Sequence, residues 1–219
     1  MDRRVLAAVC VLGLFLSGCG GDSGKADAKS SSPSAPPTEK ASSAPVASDK
    51  GSRLGGGTSG IALELPNGWK EIDPTADTSE VVRNSYGLTG ERGELTRQLI
   101  AIQRQRGTVY AIDGSVTSGL APHLSAGCDS GGITGSSLEQ LKRKQQALEP
   151  GSRITDVTVS GKPAYKATYS SAKEGGPAVD GLTVRVPISA DRYCFLQIEA
   201  AKGGLPAQAG KIAESFELA

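Results

Sequence analysis

The segment Leu182-Thr183-Val184-Arg185-Val186-Pro187-Ile188 decides the fold, because its branched apolar residues stand at every second position. This period of two predicts a β-strand with one buried face. A second segment follows after a short turn, and Cys194, Leu196 and Ile198 again share one face. We interpret the two segments as strands of one antiparallel sheet.

The opposite face of the second strand carries Tyr193 and Phe195. Large aromatic side chains on that face must be covered by another element or line a groove, because bare apolar surface is unfavourable in water. We therefore take Tyr193 and Phe195 as the candidate binding face of the protein.

Similar alternation appears elsewhere in the chain and predicts more strands. Clear patterns predict strands at 61–65, 108–113, 154–159 and 165–169, and weaker ones at 81–88 and 123–128. The single tryptophan, Trp69, follows the first of these strands after a Pro-Asn-Gly turn, and we expect it to fill the core beside that strand.

Apolar residues at helical spacing predict three helices. Leu95, Leu99 and Ile102 indicate a helix over about residues 92–105. Ser136 and Glu139 fit a capping box that starts a second helix. The third helix is indicated by Ala209, Ile212, Ala213 and Phe216. The order of elements predicts an α+β fold, with a mostly antiparallel sheet and helices packed on one face.

The N-terminus has the pattern of an export signal. Arg3 and Arg4 precede an apolar run, 5–16, that is too short to span a bilayer. The tetrapeptide Leu16-Ser17-Gly18-Cys19 resembles the lipobox of bacterial lipoproteins, which implies a diacylglycerol on Cys19 and cleavage of residues 1–18. A buried helix or an uncleaved anchor is the alternative.

Residues 19–57 are dominated by Gly, Ser, Ala and Pro, and they carry too little apolar surface to offset the entropy of ordering. We expect a disordered tether that starts at the lipidated Cys19. Glycosylation of its Ser and Thr residues is the alternative role. Residues 58–219 then form one folded domain, which matches the usual size of a domain.

The charge balance excludes some partners. The chain has a formal net charge of +1, and loss of residues 1–18 would leave equal numbers of basic and acidic residues. No basic surplus favours nucleic acid, or a membrane contact beyond the lipid anchor. We expect an extracytoplasmic protein that is anchored to the cell membrane.

Two cysteines remain once Cys10 is removed with the signal peptide and Cys19 is lipidated. Exported proteins meet an oxidising environment, in which an even pair of cysteines usually bonds. We therefore expect a disulfide between Cys128 and Cys194. Two free thiols are the alternative.

Catalytic and metal-binding patterns are weak. The string Asp129-Ser130-Gly131-Gly132 resembles the nucleophile loop of chymotrypsin-like proteases over four residues only, and the one histidine, His123, lies seven residues before Ser130. An envelope serine hydrolase that uses Ser130 or Ser125 with His123 is the alternative function, although the sequence shows no evident carboxylate to orient the histidine.

No metal site or cofactor site is recognisable in the sequence, because one histidine and two paired cysteines cannot supply the three or four ligands that zinc needs. Asp73, Asp77 and Glu80 are candidates for a weak calcium site, but their spacing does not fit an EF-hand. We expect no cofactor.

Three motifs in order resemble one family. Residues 61–69 are similar to the opening strand and Pro-x-Gly-Trp turn of LpqN-type lipoproteins and their relatives with a PsbP-like fold. Residues 159–164 resemble the Val-x-Gly-x-Pro-Ala turn of that family, and 212–216 its final helix with a Ser-Phe close. The resemblance implies an antiparallel sheet sandwiched by helices, a protein-binding accessory role and no catalytic residues.

These observations lead to one functional hypothesis. The chain is a membrane-anchored lipoprotein whose non-catalytic domain binds an envelope protein or a small hydrophobic ligand. A purely structural spacer is the remaining alternative.

Overall fold

The structure is a computed structural model that describes residues 51–130, 132, 135–172 and 177–219. The expected signal peptide at 1–18, the expected lipidation site Cys19 and most of the expected tether lie outside the described residues. The strands are β1 Ser52–Gly56, β2 Ile61–Leu65, β3 Trp69–Glu71, β4 Val109–Asp113, β5 His123–Ser130, β6 Arg153–Val159, β7 Lys162–Ala172, β8 Ala178–Pro187, β9 Arg192–Ala201 and β10 Glu217–Leu218. The helices are α1 Glu80–Ser85, α2 Gly93–Gln105, α3 Leu138–Leu148 and α4 Gln208–Glu214.

The described strands form two antiparallel sheets. Seven strands make the large sheet in the order β3-β4-β5-β9-β8-β7-β6. The small sheet has the order β1-β2-β10. The alternating segments at 182–188 and 193–198 fall on β8 and β9, which pair in the middle of the large sheet. The α+β fold and the antiparallel sheet are therefore confirmed.

One face of the large sheet holds the main core. Leu182, Val184, Leu196 and Ile198 lie there in one buried cluster, together with Trp69. Strand β2, helix α4 and Phe216 just after that helix cover this face, the first two through the apolar side chains of Leu63, Leu65, Ala209 and Ile212. Burial of these side chains is the main favourable contribution to folding.

The other three helices lie on the opposite face. Ile100 of α2 packs on Tyr110 of β4, and Val82 of α1 packs on Ile112 of the same strand. Leu141 of α3 packs on Tyr165 of β7. Helices thus cover both faces of the sheet, and the expectation that they share one face is wrong. The reason is that α4 has an apolar side of its own, which packs against the core face of β8 and β9.

A disulfide joins Cys128 of β5 to Cys194 of β9, which are directly opposite in the sheet. Both cysteines belong to the main core. The bond connects residues that are 66 positions apart. Closing a loop of this length is worth about 4 kcal/mol in the chain-entropy description.

The folded part begins earlier than the sequence predicts. Strand β1 falls within the 19–57 segment that we assigned to the tether, because Leu54 is buried and its strand pairs along β2. One buried leucine between arginine and glycines gives no alternating pattern, so sequence periodicity does not reveal this strand.

Two local assignments also change. Residues 80–85 form helix α1 instead of a strand, since Val82 is buried while Glu80 and Arg83 face water. The capping box of α3 exists but is shifted by one residue, because Ser137 caps the helix and exchanges hydrogen bonds with Gln140. Among the described residues, no helix is long and apolar enough to cross a membrane.

Candidate binding face

Tyr193 and Phe195 lie on the helix-covered face of the large sheet, on strand β9. Both side chains are partly exposed, and their ring centroids are 6.3 Å apart. Tyr193 also packs against the cluster formed by α3 and β7. Together with the buried Tyr165 and Tyr169 of β7, these two partly exposed residues form a group of side chains on one side of the sheet that we call the aromatic face. The sequence thus places the pair on the correct side of the strand.

Arg185 lies in the middle of the aromatic face, and sequence reasoning gave it no role. The register of β8 puts it directly opposite Tyr165 on one side and Phe195 on the other. Its guanidinium carbon is 5.4 Å from the ring centroid of Tyr193, a cation–π distance. Its Nε is buried and has no hydrogen-bond partner among the described residues. Strand alternation alone would have placed Arg185 on this face.

The tyrosines of the aromatic face are neutral near pH 7. Burial raises the pKa of Tyr165 to about 12, and the nearby charge of Arg185 opposes this rise. Burial also raises the pKa of Tyr193, again against the charge of Arg185. For Tyr169, burial and then the negative charge of Glu199 raise the pKa. The part of the face around Arg185 therefore combines one permanent cation with uncharged hydroxyls, while the carboxylate of Glu199 accepts a hydrogen bond from Tyr169 at one end.

His123 and Glu199 lie at one end of the same face. They are opposite each other on β5 and β9, and His123 Nε2 is 3.8 Å from Glu199 Oε2. The Nδ1 atom faces the Ala121 carbonyl oxygen at 3.0 Å, and Tyr86 stacks edge-on against the imidazole ring. The hydroxyl of Tyr169 donates a hydrogen bond to Glu199 Oε1 at 2.9 Å. The sequence alone does not reveal a carboxylate for His123, because Glu199 comes from a strand that is distant in the chain.

The hydrolase candidates do not assemble into a catalytic triad. His123 and Ser130 stand at opposite ends of β5, roughly 23 Å apart along an extended strand, and their positions differ by an odd number, so they point to opposite faces. Ser125 shares the face of His123, but the two ring nitrogens of His123 face Ala121 and Glu199. A histidine that acts as the general base for a serine needs one ring nitrogen directed at the serine hydroxyl.

The acidic residues considered for calcium serve local structure. Asp73 accepts hydrogen bonds from Thr75 and pairs with Arg104. Burial opposes its charged form, but these contacts keep the pKa of Asp73 below its usual value. Asp77 accepts a hydrogen bond from the Ser79 amide, and bonds from Ser79 lower its pKa. Within the described part of the chain, no three His, Cys, Asp or Glu side chains cluster as a metal site requires.

Helix α2 presents an exposed apolar surface. Leu95, Leu99 and Ile102 are 59%, 51% and 45% exposed, and we call them the α2 stripe. The sequence correctly predicts the helix from these residues, but the helix packs on the sheet through Ile100 instead. Periodicity identifies a helix without showing which of its sides faces the core.

Two hollows lie away from the aromatic face. A groove of about 230 Å³ runs between α4 and the edge of the large sheet, and Val157, Val184 and Phe216 line it. A larger and more polar hollow of about 340 Å³ lies between the β1–β2 turn and the end of α2, with Arg53 and Arg104 at its wall. Both arginines pair with carboxylates, of Glu217 and Asp73.

Comparison with known proteins gives structural neighbours only. No family model and no curated protein matches the sequence. The solution structure of cyanobacterial PsbP from Synechocystis is 13% identical, covers 81% of this chain and 98% of its own, and has a TM-score of 0.46. The crystal structure of LpqN, involved in cell envelope biogenesis of Mycobacterium tuberculosis, is 14% identical, covers 75% and 79%, and has a TM-score of 0.37.

A crystal structure from Bacteroides thetaiotaomicron is similar as well, with 11% identity and a TM-score of 0.45. It matches 78% of this chain, which spans 49% of that longer protein. The two proteins that the sequence motifs resemble, LpqN and PsbP, are thus both among the structural neighbours. At such TM-scores the likeness concerns the fold and carries no argument about a ligand or partner.

Proposed function

We propose that the chain is a lipid-anchored protein of the cell envelope that faces away from the cytoplasm. Residues 1–18 direct export, and acylated Cys19 holds the chain in the membrane. The intervening residues up to β1 form a tether. A flexible chain of that length spans about 30 Å on average, so the domain stays near the membrane surface.

We further propose that the folded domain is a non-catalytic accessory domain that binds another envelope protein through the α2 stripe. The exposure of Leu95, Leu99 and Ile102 is the observation that carries this proposal. Their spacing of four and three residues is the one by which a helix inserts into an apolar groove of a partner. Exposed Arg92 and Arg106 stand at the two ends of α2, but exposed Glu91 and Glu94 flank Arg92 and Asp129 pairs with Arg106, so the stripe fits an apolar groove without a strongly charged rim.

A site-specific photocrosslink in living cells tests this function. A photoreactive phenylalanine replaces Leu99 in the full lipidated chain. We expect one covalent protein adduct, and we expect it to disappear when Leu95→Ser and Ile102→Ser are added. The matched control places the same group at Leu148 of α3, which is 69% exposed and stands alone. That position should give no adduct.

Three results would contradict the proposal: equal adducts at both positions, adducts with lipid alone, or none at either. Labelling of Ser125 or Ser130 by a fluorophosphonate probe would contradict the non-catalytic part.

A second candidate function is the binding of a small hydrophobic ligand. The groove beside α4 favours it, because Val157, Val184 and Phe216 offer an apolar wall. Native mass spectrometry of protein purified without detergent should then show a bound apolar molecule. A Val157→Asp variant, which changes a partly buried wall residue on the edge strand β6, should lose that molecule, whereas an unliganded wild-type protein would exclude this candidate.

A further inference from the structure

Arg185 differs from the arginines of the domain that form ion pairs. Arg53, Arg97, Arg104 and Arg106 each lie within ion-pair distance of a carboxylate. Arg185 has no ion pair and no hydrogen bond among the described residues, although it lies in the middle of a seven-stranded sheet and is only partly exposed. A guanidinium in this position carries a desolvation cost that a partner normally offsets.

The neighbours of Arg185 offset only part of this cost. The ring of Tyr193 attracts the cation, but an aromatic face accepts no conventional hydrogen bond. The hydroxyl of Tyr165 is directed to the Leu141 carbonyl oxygen at 3.4 Å, and that of Tyr169 to Glu199. The buried Nε–H donor therefore has no acceptor among the described residues. This is costly unless a bound group supplies an acceptor.

A guanidinium presents several donors in one plane, which matches the paired oxygens of a carboxylate or phosphate. Partly exposed aromatic rings border it on β9, namely Tyr193 and Phe195. We infer that Arg185 is the anion-receiving residue of a binding site on the aromatic face. The ligand is a small amphiphile with a carboxylate or phosphate head on Arg185 and an apolar part on Phe195 and Tyr193. This inference is independent of the α2 stripe and goes beyond the proposed protein partner.

The Nε–Hε signals of the arginines in a ¹⁵N NMR spectrum provide a direct test. The protein is the chain from residue 19 to 219 with its disulfide intact. The four probes share an eight-carbon chain and stay below their micelle concentrations: octyl phosphate, octanoate, octanol and octyltrimethylammonium. Inorganic phosphate is added as a fifth probe, to separate an amphiphile site from a site for free phosphate.

We expect octyl phosphate and octanoate to shift the Arg185 signal in a saturable way. Inorganic phosphate should act about tenfold more weakly because it lacks the apolar part. Octanol and octyltrimethylammonium should leave the signal unchanged. Loss of a charge-assisted hydrogen bond costs at least about tenfold in affinity, so Arg185→Gln should weaken octyl phosphate binding by that factor or more. The affinity of Arg185→Lys for octyl phosphate should lie between those of the wild type and Arg185→Gln, since lysine keeps the charge and lacks the planar guanidinium.

Arg153→Gln is the matched control, because Arg153 is exposed on the edge strand β6 and its register places it on the other face of the sheet. It should bind octyl phosphate like the wild type. Should Arg185→Gln fail to fold, the wild-type titration and Arg185→Lys still decide the question.

An Arg185 signal that no oxyanion moves would overturn the inference. An equal response to octanol would show an apolar site without anion recognition, and equal shifts of all arginine signals would show unspecific charge binding. If inorganic phosphate binds as tightly as octyl phosphate, the ligand of the site is a free oxyanion and the proposed amphiphile is wrong.

Discussion

The two faces of the large sheet are built from the same strands and differ in almost every other respect. On the core face, Leu196 and Ile198 of β9 are fully buried beside the disulfide. One residue away, on the aromatic face, Phe195 and Gln197 are partly exposed. Along β9, therefore, the core face contributes mainly to stability, while the aromatic face leaves the polar and aromatic side chains of this strand partly open to solvent.

Removal of the disulfide is the strongest way to weaken the core face. We expect the double variant Cys128→Ala, Cys194→Ala to lose about 4 kcal/mol of the free energy of unfolding, mainly because its unfolded chain is less restricted. Urea unfolding followed by tryptophan fluorescence measures this loss. Reductant should lower the stability of the wild type and leave the double variant unchanged. A wild type that ignores reductant would show that the bond does not contribute.

Truncation of neighbouring residues on β9 compares the two faces directly. Leu196→Ala creates a cavity in the core and should cost about 3 kcal/mol in urea unfolding. Gln197→Ala changes the partly exposed face and should stay within about 0.5 kcal/mol of the wild type. Equal losses of the free energy of unfolding in both variants would refute the idea that the core face of β9 contributes more to stability than its other face.

Alkaline pH should act on the aromatic face. Burial raises the pKa of Tyr165 from 10.0 to about 12, so between these values the unfolded tyrosine ionises while the folded one stays neutral. The folded state then binds more protons, and stability falls as pH rises, by an amount of order 2 kcal/mol. Below pH 10 this contribution is complete.

The unfolding midpoint at pH 8 and pH 11 measures this effect. Tyr165→Phe should lose less stability than the wild type over the same interval, because phenylalanine cannot ionise. The same pH dependence in both proteins would assign the effect to other groups.

The smallest effect is expected on the outer side of α2, which packs on β4 on the same side of the sheet as the aromatic face. Leu99→Ser alters the exposed α2 stripe and should change the free energy of unfolding by less than about 0.5 kcal/mol. The adjacent substitution Ile100→Ser places a hydroxyl in the buried contact with Tyr110 and should cost more than about 2 kcal/mol. Chemical unfolding of both variants checks this. A large loss for Leu99→Ser would mean that the stripe stabilises the domain itself.

The sequence predicts the core face well and the aromatic face only in part. Strands β8 and β9 alternate so regularly that their buried residues follow from the period, and α2 follows from its apolar spacing. The sequence does not predict strand β1, because Leu54 reaches the core only through the pairing of β1 with β2 and no local pattern surrounds it. Local patterns predict local structure, and long-range contacts override them here.

The candidate site shows the same limit. Tyr193 and Phe195 follow from strand alternation, but the role of Arg185 depends on Tyr165 from one neighbouring strand and Tyr193 from the other. Likewise, His123 meets Glu199 only because β5 pairs with β9 across a long stretch of sequence. Sheet register, which a single sequence does not supply, brings these groups together.

The bond between Cys128 and Cys194 also turns the intervening chain into a covalent ring that contains α3 and strands β6 to β8. A protease that cuts once inside this ring releases no fragment, because both new ends stay attached through the sulfurs. The clipped protein would keep its mass on a non-reducing gel. Where proteases are present, a single backbone cleavage that would separate an uncrosslinked sheet into two fragments would leave this domain in one piece.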